Sequence, residues 1–475
     1  MAKEKLPKGL ASIALVMMVC VLPPMFDSTI VNVAVNSLAQ VFATSLDVIQ
    51  WTVTGYALAL GIATPFSGWL IQRIDGKKVF MGALVLFLVG SLLSGVSWNI
   101  ESLIVFRVVQ GLAAGILMTS LQTLLVQMVG SENLGKLMAL ASLPGVFAPI
   151  VGPVIGGLIV QYLPWNWLFL VNLPIGVVGV ALIQWKMPRF EVGKASIKLD
   201  WPGLVLLTVA SGALVYGITQ VVKAGSRASG MVFLLLGAAA FVAYVLYGLR
   251  KKEKALVPLS MFRSKNFTAA FIGMFLAGFA LNGPMLLFPM FFQNVFLQDA
   301  QGLTVILSAL WLVPQGLGML ITRPLTGRLI DRVGARVVAI PSILVTLIGT
   351  LPFAFLDASA PPLLVWGILL VRGAGVGGFM VPLMADIFTG LPKAQVPLAS
   401  VANRIIQNIG AAFGSAVLAT VVSTVLALQP SDLAGAYHAG FFVSLLFMAV
   451  TLVPALFLTD KLKERKASRA VEQAG

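Results

Sequence analysis

The chain holds one cysteine, Cys20, and one histidine, His438, in 475 residues. A disulfide framework needs paired thiols and a histidine metal centre needs clustered imidazoles, so neither is expected. Charge is scarce at 10% of residues, and acids are scarcer, 17 Asp and Glu against 32 Lys and Arg. That is well below the roughly 25% charged residues of a soluble domain. There is no Gly-x-Ser-x-Gly and no pair of carboxylates inside the apolar segments, which leaves an intramembrane enzyme only as a remote reading. No gap between apolar segments is long enough for an ATP-hydrolysing domain. GSENLGKL at 130–137 nearly spells a phosphate loop, but Leu137 stands where Ser or Thr would hold magnesium and no strand precedes it.

What the chain has instead is apolar length: 59% hydrophobic residues and a mean hydropathy of +0.98. Fourteen stretches stand out, at 11–35, 48–71, 79–97, 102–129, 135–162, 168–187, 201–221, 230–250, 267–292, 303–323, 336–356, 362–389, 395–426 and 437–459. Each reaches or exceeds the roughly 20 residues of a membrane-crossing helix. Of the 32 basic residues, 27 fall in every second gap between these stretches or at the stretch ends that border it. Basic loops remain on the cytoplasmic side, so the alternation predicts a multi-pass protein of the inner (cytoplasmic) membrane with both termini in the cytoplasm. The first stretch is long enough to remain as a helix, and no cleavable signal is expected. Eight of the nine Trp lie near predicted span ends, as an interfacial belt requires. The net charge of +15 then reflects topology and contact with anionic lipid, and nucleic acid is not expected as a partner.

An internal repeat organises the spans. PFSGWLIQRIDGK (65–77) aligns with PLTGRLIDRVGAR (324–336), matching Pro65/Pro324, Gly68/Gly327, Leu70/Leu329, Ile71/Ile330 and Arg73/Arg332. VFRVVQG (105–111) echoes LVRGAG (370–375), placing Arg107 and Arg372 in equivalent fourth helices. Two echoes in register predict a duplicated six-helix bundle. The excess length is filled by spans 201–221 and 230–250 as an inserted hairpin. The predicted domains are a six-helix bundle at 1–190, a linker with the hairpin at 191–260, and a second six-helix bundle with a basic tail at 261–475.

These segments resemble the motifs of the major facilitator superfamily, and within it the fourteen-helix drug:proton antiporter family. FDSTIVNVAV (26–35) is similar to that family's first-helix motif, and GWLIQRIDGKK (68–78) and GRLIDRVGAR (327–336) to the superfamily loop motif. LIVFRVVQGLAAG (103–115) resembles the fourth-helix arginine motif, and APIVGPVIGG (148–157) the fifth-helix antiporter motif, followed by WNWLFLVNLPIG (165–176). The resemblance implies an all-α integral membrane protein with the major facilitator fold, fourteen transmembrane helices in two bundles plus the hairpin. It implies conformational roles for Gly68, Arg73, Gly152, Pro153, Gly156, Gly157, Gly327, Asp331, Arg332 and Asp386, the last bracing Arg332 or Arg336. The sequence departs from the pattern at Gln72 and Asp75, at Ala148, and at Gln407–Asn408; the second loop copy keeps Asp331 and Gly334.

Asp27 lies near mid-depth of the first span and Arg107 in the outer half of the fourth. Desolvation favours the neutral carboxyl, while a nearby guanidinium favours the charged one. A carboxyl balanced between the two can exchange a proton as a cavity opens to each side; the competing reading is a static ion pair. Pro23 and Pro24 free the carbonyls of Val19 and Cys20 and predict a kink or unwound stretch beside Asp27, or a mere bend. Gly and Pro in GPVIGG predict a side-chain-poor packing face with breaks at Pro149 and Pro153. Candidate cavity residues are Gln110, Asn282, Phe288, Phe292, Arg372, Asn403, Arg404 and Gln407. The aromatic residues could equally face lipid, and Arg404 could instead pair with Asp386. The hairpin is expected to be peripheral.

The expected function is a secondary exporter that exchanges inward protons for a small amphipathic substrate by alternating access. No cofactor beyond the proton gradient is called for, and a monomer in lipid suffices. The alternative is a dedicated exporter of an organic anion or acyl-chain amphiphile, favoured by the excess of arginine.

Overall fold

The computed structural model describes residues 8–49, 51–129, 134–190, 200–221, 225–252, 255–296, 307 and 310–461. Its first half comprises α1 (Lys8–Val41), α2 (Trp51–Arg73), α3 (Gly76–Gly95), α4 (Ile100–Val129), α5 in two pieces (Leu134–Ala141 and Pro144–Tyr162) and α6 in two pieces (Trp167–Leu170 and Asn172–Lys186). The hairpin is α7 (Trp201–Val221) and α8 (Arg227–Lys251). The second half opens with α9 (Lys265–Phe291, prolonged by a π-helical turn Phe292–Phe296), α10 (Val313–Val333) and α11 (Ala335–Thr350, then Leu351–Ala354). It closes with α12 (Pro362–Asp386), α13 (Val396–Leu428) and α14 (Leu433–Val450, then Leu452–Ala455). No strand occurs among the described residues. Helices are what hydrocarbon permits, because each satisfies its own backbone. Among the described residues, twelve of these helices are long and apolar enough to cross a membrane. The other two are α2, thinned by Thr, Gly and Tyr, and α10, which carries Arg323, Arg328, Asp331 and Arg332.

Packing repeats the duplication. In the first half α4 packs against α2 and α3, and α1 against α5 and α6. In the second, α12 packs against α10 and α11, and α9 against α13 and α14. The apolar cores are distributed unevenly between the two ends. At the end bearing the loop motifs one continuous core crosses both halves, joining Leu121, Leu125 and Met138 to Met319, Ile330 and Val401. At the opposite end each half has its own core, around Ile30, Leu103 and Phe169 in the first and Phe288, Phe291 and Phe441 in the second. The halves therefore meet at the motif end and part at the other.

Three elements differ from the sequence expectation. The tenth helix runs to Val333, ten residues beyond the expected end at 323, so the motif charges lie inside its last turns. Of these charges Asp331 is received by protein, accepting the backbone N–H groups of Gly135 (2.9 Å) and Lys136 (3.2 Å). Second, α5 breaks at Ser142–Leu143, before Pro144, and runs on as helix through positions 149 and 153. Pro144 cannot donate, Val146 N–H turns to Leu143 O (2.9 Å), and the released Ser142 carbonyl is taken by the Arg323 guanidinium of α10. Third, the hairpin is not peripheral. Its helix α7 packs against α2 and α13, one from each half, and Tyr216 stacks on Trp51 with 6.0 Å between ring centroids.

The two loop motifs serve the motif end differently. Gly327 lies where a Cβ would meet Gly135 O at 2.6 Å, and Gly68 where one would meet Val401 Cγ2 at 2.7 Å. Both glycines thus allow a helix of one half to touch a helix of the other. Only the second copy adds charge across the contact, Asp331 sitting on the N-terminal amides of α5, where the helix dipole favours an anion. The first copy has Gln72 at that place, and its Asp75 instead caps α3 through Lys77 N–H (2.9 Å) and holds Phe190 N–H (3.0 Å). Gly334, at φ +95°, turns the chain where a side chain would strike Thr459 O (2.6 Å). Asp386 is buried and accepts Thr459 N–H (2.9 Å), whose carbonyl takes Arg336 N–H (3.0 Å). Arg73 and Arg332 are exposed, Arg73 lying 5.4 Å over the Trp69 ring.

Asp331→Asn should loosen this end by about 0.3–2 kcal/mol, the range for an anion at a helix N-terminus. With Cys20 replaced by Ala, a cysteine at Ala139, facing Gly327, should react roughly two- to thirty-fold faster with a thiol reagent in the Asn variant. Equal rates would show that Asp331 does not hold the contact.

Candidate functional site

Helix α1 runs unbroken through Pro23 and Pro24, both buried, so the expected unwinding does not occur. The Pro24 carbonyl accepts the Tyr56 hydroxyl of α2 (3.1 Å), which ties the proline pair to the helix opposite. One turn on, Asp27 is fully buried and forms an ion pair with Arg107 of α4, itself 1% exposed. The guanidinium Nε donates to Thr52 O (3.1 Å) and Nη1 to Gln110 Oε1 (3.0 Å), and the group lies 4.3 Å over the Tyr56 ring. The second carboxylate oxygen accepts Asn172 Nδ2 of α6 (3.1 Å), which also reaches Ser91 Oγ (3.0 Å); Ser91 donates in turn to Phe169 O (2.9 Å). Thus α1, α2, α3, α4 and α6 all converge on one carboxylate. A buried pair of this kind persists only when most of its remaining lone pairs and protons are met, and here both carboxylate oxygens, Nε and Nη1 have partners.

The pair adjoins a cavity of about 500 Å³ walled by α1, α2, α4, α5, α7 and α13. Arg107 and Arg404 are on its wall, with Ser28, Tyr56, Asn408 and, from the hairpin, Ser211 and Val215. No Asp or Glu is among its lining residues. Toward the motif end it is closed by Asn403 Nδ2 donating to Gln122 Oε1 (3.3 Å), and beyond that by the shared core. The α1–α5 wall is tight because Gly152 abuts Thr29 and Gly156 comes within 3.1 Å (as Cβ) of Ile30 O; Thr29 Oγ1 also donates to Ala148 O (3.2 Å). Pro153 and Gly157 flank this seam and are half-buried.

The structure brings some expected cavity residues together and disperses others. Gln110 lies behind Arg107, its Oε1 shared with Ser94 Oγ (3.2 Å). Asn403 belongs to the floor, and Gln407 accepts from Arg404 Nη1 (3.4 Å). Arg404 pairs with Met118 Sδ (2.8 Å) rather than with Asp386. Phe288 and Phe292 face neither cavity nor lipid; both are fully buried in an aromatic core with Phe353, Phe441 and Trp311. Phe288 there carries Arg372, whose guanidinium lies 4.6 Å over the ring and donates to Gln315 Oε1 (2.6 Å) and Thr350 Oγ1 (3.1 Å). Arg372 thus repeats the pose of Arg107 with neutral partners in place of a carboxylate. The side chain of Asn282 lies outside the described residues, as do residues 130–133 of the phosphate-loop-like stretch.

Sequence reasoning passed over Asn172, Tyr56, Arg323 and the α7 wall. Asn172 stood inside a quoted motif (WNWLFLVNLPIG), and Arg323 directly precedes the repeat proline Pro324; position was the available signal in both cases.

Two pseudo-equivalent six-helix halves around a charged cavity at mid-depth define a membrane transporter built by duplication. The chain belongs to the Major Facilitator Superfamily, whose family model matches residues 17–415. It is 30% identical to the multidrug resistance protein B homolog of Mycobacterium tuberculosis, over 93% of this chain and 89% of that one. It is 28% identical to the lincomycin resistance protein LmrB of Listeria monocytogenes, over 91% of this chain and 93% of that one. The solved proton:xylose symporter XylE shares the fold, with a TM-score of 0.64 at 16% identity and 94% of each chain covered.

If α7 forms part of the wall, a bulky side chain there should obstruct transport. Val215→Trp should lower the transport rate at least about tenfold with normal expression and melting temperature, since the indole would fill cavity space that a substrate needs. Val232→Trp on the exposed face of α8 serves as control. Equal rates in the two variants would return the hairpin to the periphery.

Proposed function

We propose that this protein is a proton-coupled exporter that moves amphipathic compounds out of the cell by alternating access. The observation that carries the reading is a buried Asp27–Arg107 pair at the edge of a cavity between two halves that touch at one end only. The basic loops make the joined end cytoplasmic, so the cavity belongs to the outward-facing state. In that state Asp27 takes a proton from outside; the neutral carboxyl relaxes its hold on Arg107, and the halves rock until the cavity meets the cytoplasm. There the proton leaves and substrate enters. Each inward proton is worth about 2.3 kcal/mol per 100 mV, besides the pH difference. The names of the relatives, multidrug and lincomycin resistance proteins, favour amphipathic drugs as cargo. A cavity of about 500 Å³ suits one drug-sized molecule.

The Asp331 contact and the seam at Gly68 and Gly327 hold the cytoplasmic side shut and must part during the cycle. Gly152 and Gly156 let α5 slide against α1 without a side chain in the way.

The test is flux in proteoliposomes with an imposed pH gradient. Asp27→Asn should abolish proton-driven export, because it removes the titratable group and keeps an acceptor for Arg107. Asp27→Glu should retain part of the activity. Arg107→Lys should rescue less than tenfold of the loss in Arg107→Ala, since an ammonium cannot serve Thr52, Gln110 and Asp27 together. Undiminished pH-driven export by the Asn variant would remove Asp27 from the coupling step.

A further inference from the structure

Arg404 of α13 stands on the cavity wall in the half opposite Asp27. Its bonding is poor for a desolvated cation. Nη2 meets only the thioether of Met118 (2.8 Å), a weak acceptor, and Nη1 meets Gln407 Oε1 at 3.4 Å. Nε is buried without any hydrogen-bond partner. Arg323 also leaves its Nε unmet, but it does not line the cavity. Arg107 has Asp27, Thr52 and Gln110, and Arg372 has Gln315 and Thr350. Arg404 is therefore the cation on the cavity wall with the weakest partners.

The rest of the wall sharpens the reading. Two arginines and no acid line the cavity, and the one nearby carboxylate is committed to Arg107 and Asn172. A dication would meet uncompensated like charge there. The remaining lining is mostly apolar, with Met25, Val53, Leu58 and Ile405 around it, so the complement is an apolar body with one oxyanion. Planar carboxylate or sulfonate oxygens match the open fork of a guanidinium, whereas a neutral group satisfies its hydrogens but not its charge.

We propose that Arg404 is the head-group site for organic anions, and that carboxylate- or sulfonate-bearing amphiphiles are preferred substrates of this exporter. The inference rests on the export reading above and adds the charge of the cargo. Asp27 on one half sets proton coupling; Arg404 on the other half selects the head. A further consequence is electrical. One proton in and one monoanion out move two positive charges inward per cycle, against one for a neutral substrate, so a potential negative inside drives anion export more strongly.

The experiment uses the full-length protein in proteoliposomes with three matched probes: an aromatic carboxylate amphiphile, its methyl ester, and a bis-quaternary cation. A compact and a long-chain carboxylate are run side by side to separate drug-like from acyl-chain cargo. The wild type should export the carboxylates at least tenfold more efficiently than the bis-cation, and a potassium diffusion potential should speed the carboxylates more than the ester. Arg404→Gln should lower carboxylate export at least tenfold while ester export changes less than threefold; Arg404→Lys should recover part of the carboxylate rate. Ester flux in the variants reports folding, and Asp27→Asn reports coupling independently. Loss of all flux in Asp27→Asn with normal selectivity in Arg404→Gln would overturn the head-group site and keep the exporter. Robust bis-cation export, unchanged by Arg404→Gln, would likewise overturn it.

Discussion

A carboxylate at mid-depth in a membrane protein must be neutralised or paired, and the first half of this molecule is arranged around that requirement. Asp27 is met by the Arg107 guanidinium and by Asn172, and Arg107 is met by backbone, amide and ring. Removing either charge leaves the other uncompensated, at a cost of about 3–5 kcal/mol for a buried pair. A proton delivered to Asp27 has the same electrostatic effect as removing its charge. That equivalence lets a small ion act on the whole bundle: five helices converge on the carboxyl, and each feels its change of state.

The second half repeats the packing but not the charge. Arg372 occupies the pose of Arg107 with an amide and a hydroxyl as partners. Duplication thus produced one half with a buried carboxylate–guanidinium pair and another whose buried cation has no neighbouring carboxylate among its described bonds. The same division of labour appears at the motif end, where Asp331 bridges to the α5 amides while Asp75 serves its own half. Symmetry supplies the scaffold, and substitutions within it supply direction.

Much of this was legible in the sequence, and what was not shares a physical cause. Apolar length and alternating basic loops located the spans, because lipid imposes both on any helix that crosses it. Asp27 and Arg107 stood out because a charge at that depth needs a reason. Apolar patterning does not say which face of a membrane helix meets lipid, protein or cavity, since all three accept the same residues. So Phe288 and Phe292 were assigned to a pocket when they pack in a core, and α7 was placed outside when it walls the cavity. The position of the α5 break was missed for a related reason: the Ser142 carbonyl it frees is met by Arg323, nearly two hundred residues away in the chain. Of the three prolines in α5, the helix breaks before Pro144 alone, where that partner receives the Ser142 carbonyl.

The uneven core has one more implication. At the motif end a single dry interface joins the halves through Leu121, Leu125, Met138, Ile330 and Val401. Rocking to the other state must wet those surfaces, while the two separate cores at the far end close over the cavity and shed water. The conformational equilibrium is therefore a hydration equilibrium as well. Solutes excluded from protein surfaces act on it through water activity alone, favouring whichever state presents less wetted surface. An exporter built this way responds to the osmotic state of the cell before any substrate or proton is bound.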